Sequence, residues 1–95
     1  MVYIDAVRYA TDVYGNKLYI SSVKWTNDFY TRASNICTKQ DVINFIENQH
    51  GQVQTKYYRN GGWIRGEDVR VIDHRYLRTD ANDVKSDNLG NLPEF

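Results

Sequence analysis

The side chains best suited to metal binding are few in this sequence and widely spaced. Cys37, His50 and His74 are separated by 13 and 24 residues, so neither a CxxC nor an HxxxH pair occurs. Structural zinc sites use closely paired cysteines or histidines. A histidine at a helix end, such as His50, is more often a cap or a surface residue. We therefore expect no metal and no cofactor.

Nucleophilic catalysis also lacks a motif. A nucleophile needs a general base and an orienting group held nearby, and no local pattern places Cys37 or a serine beside either histidine. The sequence NGG at Asn60–Gly62 is a turn signal and not a phosphate loop, because no GxxxxGKS or GxxxxGKT follows a strand. We expect no enzymatic activity.

Three aspartates near the end of the sequence, Asp80, Asp83 and Asp87, could share a hard cation. The segment DANDVKSDN lacks the alternating ligands and central glycine of a calcium loop. Solvated or capping carboxylates are the interpretation that we favour.

Aromatic and basic residues alternate around the NGG turn. On one face of a hairpin the rings could stack nucleobases while Lys and Arg hold phosphates, and a nucleotide or small signalling molecule could use the same groups. The structural alternative is that Tyr and Trp are favoured strand residues and that Arg commonly flanks strands. The candidate binding residues here are Lys56, Tyr58, Arg59, Trp63 and Arg65.

Composition indicates one small globular domain over residues 1–95. The chain has 41% hydrophobic and 25% charged residues, which is ordinary for a folded protein near the lower size limit for an adequate core. No apolar run is long enough for a membrane span, and the start MVYIDAVRY lacks a signal-peptide core. The single Cys37 excludes an internal disulfide and fits a reducing compartment. We expect a cytoplasmic protein.

Charge is unevenly distributed although the formal net charge is zero. Residues 52–78 carry a net charge of +3 and residues 79–95 a net charge of −3. This charge separation could mark a polyanion-binding site with a compensating acidic segment beside it. We favour the simpler interpretation that the tail folds back and pairs with the basic strands. Zero net charge counts against nonspecific DNA binding.

The hydrophobic pattern predicts a first hairpin and then a helix. Val2–Tyr9 and Lys17–Trp25 alternate as strands around a turn at Gly15, and Thr26–Cys37 is a polar connection without a clear period. The helix spans Thr38–Gly51. Its predicted caps are the pair Thr38 and Asp41, with Gly51 in the left-handed C′ position.

A second hairpin follows the helix. Gln52–Arg59 and Trp63–His74 flank the NGG turn, with a bulge at Gly66, and Arg75–Thr79 extends the last strand or forms a fifth one. The predicted fold is α+β, ββαββ with a possible fifth strand. It has one antiparallel-rich sheet and a single helix on one face.

A single helix leaves the other face of the sheet solvated, self-associated or occupied by a partner. Alternation predicts that Tyr3, Tyr9, Tyr19 and Trp25 share a face, and a contiguous aromatic patch is typical of a binding or dimer surface. We therefore expect a homodimer and add Tyr19 and Trp25 to the candidate binding residues.

The last nine residues, DNLGNLPEF (Asp87–Phe95), have the composition of a docked segment. Asp87 or Asn88 would cap or turn the chain, Leu89 and Leu92 would enter the core, and Pro93 would stop any helix. Such a segment can cover an apolar edge of a small sheet.

Four features together resemble a known family of small bacterial and phage-borne proteins. They are an IxAVR-like first strand (Ile4–Arg8), Trp25 closing the second strand, a helix ended by glycine, and an RT…D…DNLLxLPxF tail (Arg78–Thr79, Asp83, Asp87–Phe95). The family is the domain of unknown function thirty-eight ninety-two. Gly90 departs from the pattern, because a second leucine is expected there. The resemblance implies a fold and no activity.

These observations favour a small non-enzymatic binding module with a protein partner or a nucleotide ligand. The resemblance to a phage-borne family suggests an accessory protein that inhibits a host defence component or sequesters its nucleotide signal. The alternative is a nucleic-acid-binding protein that uses the hairpin at residues 56–65.

Overall fold

A computed structural model describes residues 1–80 and 84–95. One helix and seven strands in this part of the chain make an α+β fold, which confirms the predicted class. The elements are β1 (Val2–Thr11), β2 (Lys17–Thr26), β3 (Asn35–Thr38), α1 (Lys39–Asn48), β4 (Val53–Arg59), β5 (Gly62–Asp68), β6 (Arg70–Ile72) and β7 (Tyr76–Arg78). The helix is too short and polar to cross a membrane.

Five strands form a mixed sheet in the order β3-β2-β1-β4-β5, and β6 and β7 form a separate hairpin. Three of the four pairings are antiparallel, but β1 and β4 are parallel. Parallel neighbours need a crossover connection, and α1 lies in the connection between them. The parallel pairing is short, joining Val2–Ile4 to Val53–Thr55, so the two strands separate after their first residues.

Strand β3 corrects the prediction of a polar connection over Thr26–Cys37, because the end of that segment forms a strand. Its four residues pair with β2 at the edge of the sheet. Ile36 is exposed and Cys37 is half-buried. A short edge strand with one apolar residue facing water gives no alternating signal, which explains the error.

The helix begins as predicted but ends differently. The Thr38 hydroxyl accepts from the Asp41 amide at 3.1 Å, and the Asp41 carboxylate accepts from the Thr38 amide at 3.0 Å. The left-handed residue after the helix is His50 (φ 53°) and not Gly51. Gly51 is required for space instead, since a Cβ there would lie 2.2 Å from the Phe45 ring.

The second hairpin has the predicted turn and bulge. Asn60 and Gly61 both have positive φ, as a type I′ turn requires. Opposite the bulge, Gln54 pairs with Asp68 while Lys56 pairs with Arg65. The extra residue of β5 therefore lies at Gly66 and Glu67. The strand predicted to run on to His74 instead ends at Asp68, and β6 turns away.

The tail is docked, as the sequence predicted. Leu89 is fully buried and Leu92 is 6% exposed. Where β4 has left β1, the Val7 amide donates to the Pro93 carbonyl at 2.9 Å and the Phe95 amide donates to the Val7 carbonyl at 3.0 Å. The tail thus pairs with the edge of β1 that β4 leaves uncovered. Without the tail, main-chain groups on this edge of the small sheet would have no partner.

Candidate functional site

Lys56, predicted as a phosphate-binding residue, has no exposed surface in the structure. Its ammonium donates to the carbonyl oxygens of Asp28 (3.2 Å), Phe29 (3.0 Å) and Thr31. Burial lowers the pKa of Lys56, and nearby Asp5 and Asp28 partly oppose that change. Because the ammonium is already satisfied inside the protein, it is not available to a ligand on the surface.

The segment that binds Lys56 is the connection between β2 and β3, and it lies across the sheet face that carries Lys56. Asp5, on β1, fastens it at a second point, since its buried carboxylate accepts from the Ala33 amide at 2.8 Å. Part of the face that we expected to be open is therefore covered by the chain itself.

This connection also brings Arg32 to the hairpin. Its guanidinium carbon lies 5.4 Å from the centre of the Tyr58 ring and 5.2 Å from that of the Trp63 ring. The two rings pair across β4 and β5, with centres 5.2 Å apart and an angle of 72°. Edge-to-face rings with a guanidinium over them form a stable cation–π arrangement.

Two further arginines complete this surface. Arg65 is exposed and lies 5.8 Å from the Phe29 ring centre, and Arg59 is exposed beside the turn. Arg32, Tyr58, Arg59 and Trp63 line a shallow cleft of about 330 Å³ whose far wall is the tail. We call the group of Arg32, Tyr58, Arg59, Trp63 and Arg65 the arginine–aromatic surface.

Four of the five hairpin residues that the sequence predicted are thus brought together, and Lys56 lies beneath them. Arg32 was not predicted. Arg32 lies about 25 residues before Lys56 in the sequence, in a segment without a regular hydrophobic period. Its position depends on the contacts of neighbouring carbonyl oxygens with Lys56. No local signal could have identified it.

Trp25 and Tyr3 do not share a face, contrary to the prediction. Tyr3 pairs with Thr26, and Trp25 pairs with Ile4. Directly paired residues share a face while sequence neighbours alternate, so Tyr3 and Trp25 point to opposite sides. The prediction failed because odd-numbered residues of β1 pair with even-numbered residues of β2 at these positions.

The same register separates Tyr9 from Tyr19, since Tyr9 pairs with Ile20. The four-residue aromatic patch is therefore divided between the two faces of the sheet. Tyr19 lines a cleft beside the start of the helix. The homodimer stays a prediction, but it has lost the contiguous patch on which it was based.

Trp25 lies in a third cleft, of about 300 Å³, whose other walls include Cys37, Val42 and Phe45. Burial raises the pKa of the Cys37 thiol to about 11, and Asp41 adds to the effect. The thiol is therefore protonated at neutral pH, which is unfavourable for a nucleophile. His74 is hydrogen-bonded to Glu47 at 2.6 Å.

The acidic residues of the tail are engaged within the protein. Asp80 is bound by the Arg78 guanidinium through two bonds of 2.9 and 2.7 Å, and Glu94 pairs with Lys17 at 2.6 Å. Asp83 lies outside the described residues. Within residues 1–80 and 84–95, no three His, Cys, Asp or Glu side chains are grouped closely enough to hold a metal ion.

Comparison with known proteins identifies a family to which the chain is similar. No curated protein and no solved structure matches the chain. The family described as protein of unknown function DUF3892 matches residues 3–93. This range includes β4, β5, the whole arginine–aromatic surface and most of the docked tail. The chain therefore belongs to the DUF3892 family.

Proposed function

We propose that the protein is a non-enzymatic binding module whose ligand is a nucleotide held at the arginine–aromatic surface. The observation that carries this proposal is the position of Arg32, within 5.5 Å of both the Tyr58 and Trp63 ring centres, beside a cleft of about 330 Å³. Ring faces and guanidinium planes both stack on nucleobases. Arginine also offers a planar fork of donors that matches phosphate oxygens.

Charge and exposure agree with an anionic ligand. Arg32 and Arg59 are exposed on the cleft, and the acid that lines it, Asp5, is buried and bonded to the Ala33 amide. Tyr58 is 54% exposed, so its ring is accessible to a ligand. The arginine–aromatic surface is positively charged, whereas the whole chain has a formal net charge of zero. This combination favours a small anionic ligand over a long polyanion.

The test is a titration of the intact protein with mononucleotides and cyclic dinucleotides at low salt. A Trp25→Phe background leaves Trp63 as the only tryptophan, so its fluorescence reports on this surface. We expect quenching that saturates, with Arg32→Gln or Arg59→Gln weakening affinity about tenfold or more. Lys17→Gln, at an exposed base that does not line this cleft, is the control. No saturable quenching by any of the nucleotides at millimolar concentration would overturn the proposal.

A single-stranded nucleic acid is the second candidate. Arg65 and Trp63 share one face of the hairpin with Tyr58, because Tyr58 pairs with Trp63 and Lys56 with Arg65. The exposed arginine thus extends the surface along β5, beyond the cleft. This candidate predicts affinity that rises with oligonucleotide length and falls steeply with salt, whereas a mononucleotide site predicts neither a length dependence nor a steep slope.

The finer proposal, that the ligand is a defence signal or that a host defence protein is the partner, is based on the resemblance to a phage-borne family. The homodimer can be tested independently by sedimentation of the intact chain. About twice the monomer mass at micromolar concentration, reversed by Trp25→Glu or Tyr19→Glu, would support it. A monomer throughout would refute it.

A further inference from the structure

A second cleft, of about 390 Å³, lies between β2, the start of α1, the β6–β7 turn and the tail. Three basic and two aromatic side chains line it, and the nucleotide proposal uses none of them. They are Tyr19, Lys39, Arg75, Tyr76 and Lys85, and we call this group the lysine–tyrosine cleft.

Lys39 is held in a fixed position at the base of the cleft. Its ammonium lies 3.0 Å from the Asp87 carboxylate. It also lies 5.1 Å from the Tyr19 ring centre and 5.8 Å from that of Tyr76. The side chain is 18% exposed, so part of it faces the cleft. An ammonium has three donors, and the carboxylate uses one of them.

The negative charge of Asp87 is already compensated. Its side chain is 2% exposed and accepts from the Ile20 amide at 2.8 Å and the Leu77 amide at 2.9 Å, in addition to Lys39. Three donors stabilise this carboxylate. It therefore holds the lysine in place while repelling an incoming anion much less than a bare carboxylate would.

Arg75 and Lys85 supply positive charge at the rim. Arg75 is exposed, its guanidinium carbon lies 5.5 Å from the Tyr76 ring centre, and no carboxylate pairs with it within residues 1–80 and 84–95. The Lys85 ammonium lies 3.6 Å from the Asp73 carboxylate, and the two side chains are 70% and 49% exposed. Such a pair contributes little and exchanges readily with a ligand.

A tight turn presents Arg75 to the cleft. Asp73 and His74 both have φ near 55°, the left-handed region in which Asp and His are enriched among residues other than glycine. The turn places Arg75 beside Tyr76 in the lining of the cleft.

We propose that the lysine–tyrosine cleft binds a small phosphomonoester. The phosphate would accept from Lys39, Arg75 and Lys85, because a dianion with three terminal oxygens matches three converging cations. The organic group would lie against the Tyr19 and Tyr76 rings. The volume suits one ring and its phosphate and is too small for a polymer.

The test is titration of the intact, ¹⁵N-labelled protein with phenyl phosphate, inorganic phosphate and phenol at low ionic strength. We expect saturable shifts of the Tyr19, Arg75 and Tyr76 amides, with phenyl phosphate the tightest of the three probes. Arg75→Gln and Lys85→Gln should each weaken binding about tenfold. Both residues are exposed, so neither substitution should disturb the fold. Lys39 is not substituted, because its loss would leave the buried Asp87 carboxylate without its cation.

Arg59→Gln, on the arginine–aromatic surface, is the matched control and should leave these shifts unchanged. Absence of saturable shifts at Tyr19 and Tyr76 would overturn the proposal, and so would phenol binding as tightly as phenyl phosphate. Nucleotide binding reported by Trp63 fluorescence is a separate measurement, so either proposal can fail without the other.

Discussion

The ammonium nitrogen of Lys56 lies 4.0 Å from the centre of the Trp63 ring, directly beneath the candidate nucleotide surface. The same nitrogen donates to three main-chain carbonyls of the β2–β3 connection. One buried cation therefore joins the sheet to the segment that carries Arg32. Carbonyl oxygens and a ring face replace the water that the ammonium loses on burial.

Lys56→Met tests this arrangement, because methionine retains an unbranched chain and removes the donors. Three carbonyls would lose their buried partner, and we expect the free energy of unfolding to fall by about 1–3 kcal/mol. Chemical denaturation measures it. Lys85→Met, at a side chain that is 70% exposed, should change stability by less than about 0.5 kcal/mol. A Lys56→Met protein as stable as the parent would show that the carbonyls need no donor.

Lys56 also shows where sequence reasoning reaches its limit. Its strand, its turn and its place among aromatic residues follow from a local pattern around NGG, and these were predicted. Its burial depends on a segment about 25 residues earlier that crosses the sheet, and no periodicity marks that segment. The tail was predicted more completely because Leu89, Leu92 and Pro93 carry their signal within a few residues.

Gly66→Ala is expected to destabilise the β4–β5 bulge. A Cβ at this position would lie 2.2 Å from the Thr55 hydroxyl oxygen and 2.9 Å from the Thr55 carbonyl oxygen, and the second of these cannot move without shifting the strand. Overpacking of this kind costs about 1–3 kcal/mol. Gly62→Ala is the matched control in the same strand, because its Cβ would meet nothing within 4 Å. Equal thermal midpoints for the two variants would contradict the expectation.

Cys37 should react slowly with iodoacetamide in the folded protein. Burial raises its pKa from 9.0 to about 11, so the thiolate fraction near neutral pH falls about 100-fold relative to the unfolded chain. The rate should therefore rise with pH up to about 11 and increase sharply on unfolding in urea. The chain has a single cysteine, so mass spectrometry follows the reaction without ambiguity. Rapid labelling of the folded protein at neutral pH would mean that the thiol is activated, and it would support a role for Cys37 as a nucleophile.

The docked tail should contribute a large share of the stability. Leu92 is 6% exposed, and removing a buried leucine side chain typically costs about 2–5 kcal/mol. The free energy of unfolding of a domain of this size is only about 5–10 kcal/mol, so Leu92→Ala should lower the melting temperature strongly. Deletion of residues 87–95 should unfold much of the protein, because it also removes the Asp87 carboxylate that joins the Ile20 and Leu77 amides to Lys39.

The control for the tail is Glu94→Gln, which removes an exposed ion pair with Lys17. Exposed pairs contribute about 0–1 kcal/mol, so this variant should melt close to the parent. Comparison of Leu92→Ala with Glu94→Gln separates burial from charge within three residues of sequence. If the truncated protein instead melted like the intact chain while losing nucleotide binding, the tail would be a recognition element. The Pro93–Val7 and Phe95–Val7 hydrogen bonds would then place a binding segment on the sheet without stabilising it.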